Sequence, residues 1–153
     1  MIAYKKLESG DERWLMKVNQ TFRGCQISEE KAEAVLQDKK IRVYIAYEAD
    51  TVCAYTLAYV LPRIDNGNAM LLIYHLFVEE AYQRRHIGET LMKIVLEEAK
   101  AEHLHYMFLI TQDDNEAANA LYQKAGGART VYQSGQDPDR IYQDKPQYPG
   151  CVC

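Results

Sequence analysis

No stretch of this sequence is apolar for the length needed to cross a bilayer, and Met1-Ile2-Ala3-Tyr4-Lys5-Lys6 is not followed by the apolar segment of a secretory leader. Both absences point to the cytoplasm. Cysteine is sparse. Cys25, Cys53, Cys151 and Cys153 form no CxxC pair and stand at no metal-ligand spacing from the histidines, so no metal is expected. A structural disulfide is not expected in a reducing compartment. Cys53, in an apolar run, reads as a small core residue. Cys151 and Cys153, in a tail containing proline and glycine, read as free, exposed thiols. A basic excess is also missing. The net charge of -4 argues against a nucleic-acid partner and tolerates a cationic one. There is no internal repeat and no linker, and 153 residues suffice for one domain but not for two ordinary ones.

What is present is a soluble composition, 48% hydrophobic and 26% charged, with tyrosine unusually common at 12 residues. Most of those rings are expected half-buried with a wet hydroxyl. Ala3 to Leu7 reads as a short strand. Asp11 to Phe22 has helical spacing, with Trp14, Leu15, Val18 and Phe22 on one face. Ser28 is an N-cap for a second helix that carries Glu29 and Glu30 in its first turn and ends near Lys39-Lys40. Ile41 to Tyr47 and Thr51 to Leu61, joined at Glu48-Ala49-Asp50, read as a hairpin of long strands. Asp65-Asn66-Gly67-Asn68 is a loop. Met70 to Val78 is nearly all apolar, as expected of a central strand buried on both faces.

The period then changes. Ile87, Leu91, Ile94, Val95 and Ala99 define a helix to about His103. Tyr106 to Ile110 is a short strand, and Asn115 to Ala125 a helix closed by Gly126-Gly127. Ala128 to Tyr132 and Ile141-Tyr142 read as final strands, and the tail from Lys145 as irregular. The order β-α-α-β-β-β-α-β-α-β-(β) is that of an α/β (α+β mixed) sheet in one domain, 1–153.

The informative junction lies between Phe77 and Thr90. A buried strand ends, a basic turn follows, and a helix opens with Gly88 near its start. Helix N-termini present unpaired N–H groups and the positive end of a dipole, so anions bind there. Arg84 and Arg85 add charge, and Gly88 permits close backbone approach. A solvated basic turn before an ordinary helix is the plainer reading of the same residues.

Here the chain resembles the GNAT superfamily of N-acetyltransferases, whose cofactor motif reads Gln/Arg-x-x-Gly-x-Gly/Ala. This sequence has Gln83-Arg84-Arg85-His86-Ile87-Gly88, with His86 in place of the first glycine. A second match follows. Asn115-Glu116-Ala117-Ala118-Asn119-Ala120-Leu121-Tyr122-Gln123-Lys124-Ala125-Gly126 is similar to the family's Asn-x-x-Ala-x-x-Leu-Tyr-x-x-x-Gly helix. The resemblance implies a single domain with a mixed, mostly antiparallel sheet flanked by about four helices. It also implies acetyl-CoA as co-substrate, held by Leu76, Phe77, Val78, Gln83, Arg84, Arg85, His86, Ile87, Gly88, Glu89, Thr90, Asn115 and Tyr122. Dimers are common in that family, and the long strands and tyrosines would allow a homodimer.

Ala58-Tyr59-Val60-Leu61-Pro62-Arg63 and Ile73-Tyr74-His75-Leu76-Phe77-Val78 further resemble the small, single-domain aminoglycoside 3-N-acetyltransferases, where His75 stands in place of an aspartate. The implied activity is direct transfer of an acetyl group to a small-molecule amine, with an aminoglycoside, and hence antibiotic resistance, as the first expectation. A polyamine, an amino-acid-like metabolite or a protein amino group is the second, and a non-catalytic acyl-CoA-binding module the third. Tyr122 is the implied general acid, and the N–H of Phe77 or Val78 the donor to the thioester oxygen. His75 is the first candidate base, since its pKa lies near working pH, and a buried strand histidine is the alternative. Asp113 and Asp114 come next. Asp113 with Glu116 has the spacing of a capping box, the plainer role. Glu79 and Glu80 are expected in solvent, and Asp65 in a plain turn.

Overall fold

The computed structural model describes residues 1–110 and 115–126 and the backbone of residues 151–152. The elements are β1 (Ala3–Lys6), α1 (Glu12–Arg23), α2 (Glu29–Gln37), β2 (Ile41–Glu48), β3 (Thr51–Leu61), β4 (Met70–Val78), a short turn of 3-10 helix (Glu80–Tyr82), α3 (Ile87–Ala101), β5 (Met107–Leu109), α4 (Glu116–Lys124) and β6 (Cys151–Val152). The strands form one sheet in chain order. β1 to β4 pair antiparallel, while β5 runs parallel to β4 and β6 parallel to β5. Two residues of the tail expected to be irregular therefore join the sheet. The strands expected at 128–132 and 141–142, and Asp113 and Asp114, lie outside the described residues.

Alternation along the strands builds two cores. On β2, Tyr44 and Ala46 face one side and Val43 and Ile45 the other. The first side packs under α3 and α4 through Leu91, Met92, Val95, Ala99 and Tyr122. The second packs under α1 and α2 through Leu15, Val18 and Ala32. Fully burying such a side chain is worth roughly 1.5–3 kcal/mol, so these faces hold the helices in place. Ser28 caps α2 as expected, its hydroxyl accepting the Lys31 N–H at 3.1 Å. The buried charge among the described residues is Arg42, paired with Glu102 at 2.5 Å, while the Tyr44 hydroxyl donates to Glu98 at 2.8 Å. A charge that deep requires such partners.

β4 departs from the expectation of a strand buried on both faces. Leu71 and Ile73 are buried, but Tyr74 is 54% and Phe77 48% exposed. Among the described residues β5 covers only Leu71 to Ile73, so the second half of β4 has an unpaired edge.

Candidate active site

The pairing of β4 with β3 contains a bulge. Leu57 pairs with His75 and Ala58 with Ile73, which leaves Tyr74 as an extra residue. An extra residue exchanges the two faces of everything beyond it. Leu71 and Ile73 pack toward α3 before the bulge, and Leu76 and Val78 do so after it. His75 and Phe77 turn to the opposite face, against Tyr55. The backbone follows suit. The Glu79 N–H donates to the Cys53 carbonyl at 2.9 Å, so by ladder alternation Phe77 and His75 also point their N–H groups at β3. Leu76 and Val78 point theirs at the uncovered edge. Of the two expected thioester donors, the ladder consumes Phe77 and leaves Val78, with Leu76 beside it. The Val78 carbonyl accepts from the Gln83 amide at 3.2 Å, which ties the strand end to the turn.

In that turn Arg84 (φ 60°) and His86 (φ 57°) are both left-handed. Left-handed residues in a turn swing successive N–H groups to one side, a geometry that receives anions, and the open N-terminus of α3 follows directly. The glycine expected at position 86 is explained by this φ, which costs glycine nothing. His86 adopts it with an exposed ring whose Nδ1 lies 3.0 Å from Glu89 Oε2. That bond holds the Glu89 carboxyl below the ordinary carboxylate range, helped by the charge of Lys124. The His86 carbonyl accepts both the N–H and the hydroxyl of Thr90, at 3.0 and 2.9 Å.

Gly88 lies on the first turn of α3 facing α4. A Cβ there would meet Leu121 Cδ2 at 3.4 Å and Val78 Cγ2 at 3.5 Å, so the missing side chain is space between α3, β4 and α4. On α4, Asn115 is itself the N-cap, its side-chain oxygen accepting the Ala118 N–H at 3.2 Å. Asn115 therefore caps α4 by itself, while the capping role expected of Asp113 falls outside the described residues. Tyr122, one face further along, is buried and lines the same space.

A cleft of about 710 Å³ results. It gathers Leu76, Phe77, Val78, Gln83, Arg84, His86, Ile87, Gly88, Glu89, Asn115 and Tyr122. Three predicted residues stand outside it. Arg85 lies over the Tyr82 ring at 5.2 Å, and Thr90 is turned back on the helix start. His75 is on the other face of β4, where its Nδ1 lies 3.3 Å from both Arg23 Nη1 and the Tyr55 hydroxyl. A guanidinium only donates, so Nδ1 accepts and the neutral ring carries its proton on Nε2. Burial, then the charge of Arg23, holds its pKa below the ordinary value. The lone pair a base would use is thus engaged. Sequence reasoning missed Lys124, which adds a second cation to the cleft, because it falls on a position that the motif leaves unspecified.

A second cavity of about 340 Å³ lies on the His75 face, between α1, α2 and the sheet, and is lined in part by Arg23, Lys31, Tyr55, Tyr59 and Tyr74. Among the described residues no group of histidine, cysteine and acidic side chains could hold a metal, and no helix is long and apolar enough to cross a membrane.

A strand edge that β5 covers only as far as Ile73, a left-handed turn beyond the strand's end and a buried tyrosine across the cleft together make an arrangement suited to acyl transfer. The profile of the acetyltransferase (GNAT) family matches residues 9–127, and the chain belongs to that family. It is an N-acetyltransferase. Similar folds include an aminoglycoside acetyltransferase from an uncultured soil metagenomic sample, in complex with trehalose, at 16% identity and TM-score 0.76, covering 89% of this chain and 96% of that one. A ribosomal-protein-alanine N-acetyltransferase from Brucella melitensis biovar Abortus 2308 is similar at 17% identity and TM-score 0.67, over 90% and 98% of the two chains. An aminoglycoside N-acetyltransferase in complex with CoA is similar at 15% identity and TM-score 0.68, over 90% and 94%. No curated protein matches the chain. At these identities the likeness is one of fold.

Proposed function

We propose that the chain transfers an acetyl group from acetyl-CoA directly to the primary amine of a small molecule. The observation that carries this reading is the meeting of three elements in one cleft: the N–H edge of β4 that no described strand covers, the left-handed turn before α3, and Tyr122. The turn and Arg84 receive a pyrophosphate, and the space at Gly88, which a Cβ would narrow, admits the arm that follows. Bound acetyl-CoA supplies the activated acyl group. The N–H groups of Val78 and Leu76 polarise a carbonyl laid along the open edge. Tyr122 protonates the departing sulfur, while the amine forms the new C–N bond and releases its proton to solvent. Asn115, fixed by its own cap, orients the arm. His75 positions Arg23 and Tyr55 rather than acting in the cleft. The chemistry suits the cytoplasm, where acetyl-CoA is made, and the free thiols Cys25 and Cys53 are in keeping with that setting.

An aminoglycoside acceptor is the second reading. It draws on the resemblance at Ala58 to Arg63 and on the aminoglycoside acetyltransferases among the similar folds. The deciding experiment measures CoA release across a panel of amines for wild type, Tyr122→Phe and His75→Ala, with acetyl-CoA affinity by calorimetry. Tyr122→Phe is expected to keep the affinity and lose roughly 10²–10⁴-fold in turnover. Failure of acetyl-CoA to bind would end the proposal.

A further inference from the structure

We infer that the cavity between α1, α2 and the sheet is the acceptor pocket, and that it selects an amine that also bears a carboxylate on an apolar or aromatic body, not a polycation. The inference rests on the acetyltransferase reading above and names its substrate class.

Position comes first. The cavity and the cleft share one aromatic wall: Phe77 lines the cleft, Tyr55 lines the cavity, and their rings stack at 5.7 Å. Tyr74, the bulge residue, lines the cavity, while Leu76 and Val78 open into the cleft from the other face of the same strand. An amine entering from the Tyr74 side therefore reaches β4 from the face opposite the one on which Leu76 and Val78 line the cleft.

Charge comes second. The charged residues lining the cavity, among the described residues, are Arg23 and Lys31, and no carboxylate lines it. Arg23 touches the His75 ring and the Tyr55 hydroxyl, and neither neutralises it. A guanidinium has five N–H donors in a fork that fits a carboxylate edge to edge. A polycation would instead bring several like charges to Arg23 and Lys31, which disfavours binding. Size and surface agree. At about 340 Å³ the cavity sits at the low end of small-molecule pockets, and Tyr55, Tyr59 and Tyr74 present ring surface to an apolar body.

The test compares L-tyrosine, L-tyrosinamide and an aminoglycoside as acceptors, by kcat/KM. Calorimetric binding of N-acetyl-L-tyrosine and of its amide is measured in parallel. The acid should exceed the amide at least roughly tenfold in both assays, and the aminoglycoside should be poorest, in line with the worth of a charge-assisted hydrogen bond. Arg23→Gln should erase the acid–amide difference while acetyl-CoA affinity and Tm hold. Arg23→Lys should restore part of it. An amide as good as the acid, a preferred aminoglycoside, or a preference that survives Arg23→Gln would overturn the inference. If acetyl-CoA fails to bind, the acetyltransferase reading falls by itself, and the product-binding arm still decides the pocket: acid-selective binding supports the inference, and equal or absent binding overturns it.

Discussion

Replacing His86 by glycine separates what the backbone of the proposed anion-binding turn does from what its side chain does. The residue sits at φ 57°. For a residue with a Cβ this conformation costs roughly 1–2 kcal/mol, and glycine escapes the penalty. Glycine in turn loses more conformational entropy on folding, roughly 0.5–1 kcal/mol. The difference leaves His86→Gly neutral to about 1.5 kcal/mol more stable. In a chain of this size that is a Tm rise of up to about 5 °C. The side chain contributes a solvent-exposed contact to Glu89, which screening weakens. On the proposed reading the turn's N–H groups receive the phosphates and keep their positions in the variant, so acetyl-CoA affinity should stay within about threefold of wild type or improve, well under the ~1.4 kcal/mol of a tenfold change. His86→Val supplies the opposite sign. A β-branched residue tolerates positive φ poorly, so this variant should lose both stability and affinity. Denaturant melts and calorimetry on the three proteins decide the matter. A loss of tenfold or more in His86→Gly would show that the imidazole, not the turn, holds the phosphates.

Gly88→Val should reduce acetyl-CoA affinity by well over tenfold with the fold intact. Gly88 lines the cleft, and the first added carbon would already touch Leu121 at 3.4 Å, so valine's further carbons would narrow that space; calorimetry with a normal circular-dichroism melt is the check. His75 gives a pH signature. Burial and Arg23 lower its folded pKa beneath the ordinary 6.5. Above 6.5 both the folded and unfolded states hold the ring neutral. As pH falls through 6.5 the unfolded chain takes up a proton that the folded chain resists, so stability declines until the folded pKa is reached. His75→Gln should flatten that decline in denaturant midpoints between pH 7.5 and 5.5, and an unchanged slope would refute the assignment.

Much of the fold was legible because its signals are local. The N-cap at Ser28, the period of α3 and the alternation of β2 each follow from a few neighbouring residues, and each appears where expected. The turn from Gln83 and the face of α4 carrying Tyr122 were legible through a motif, and the cleft brings them together. What stayed hidden depends on partners distant in sequence. β4 reads as a doubly buried strand because Met70 to Val78 is apolar throughout. Whether such a strand is covered depends on the length of β5, which begins about 30 residues later and reaches only Ile73. The place of Arg23 in the cavity lining was invisible for the same reason. At the end of an amphipathic helix an arginine looks like a solvated cap, and only the packing of α1 on β3 brings it to Tyr55 and His75.

The Tyr74 bulge explains how one strand can serve both a core and the proposed site. Without it, strict alternation from Leu71 and Ile73 would send His75 and Phe77 into the α3 core and push Leu76 and Val78 to the other face. With it, two small apolar side chains close the core beneath the cleft, while their N–H groups reach the uncovered edge. The rings of Tyr74, His75 and Phe77 are freed to build the opposite wall. The single extra residue therefore aims the backbone at one space and the side chains at the other. Under the proposed direct transfer, the cleft and the cavity would offer the two reactants opposite sides of one strand, which brings them together without either crossing the sheet.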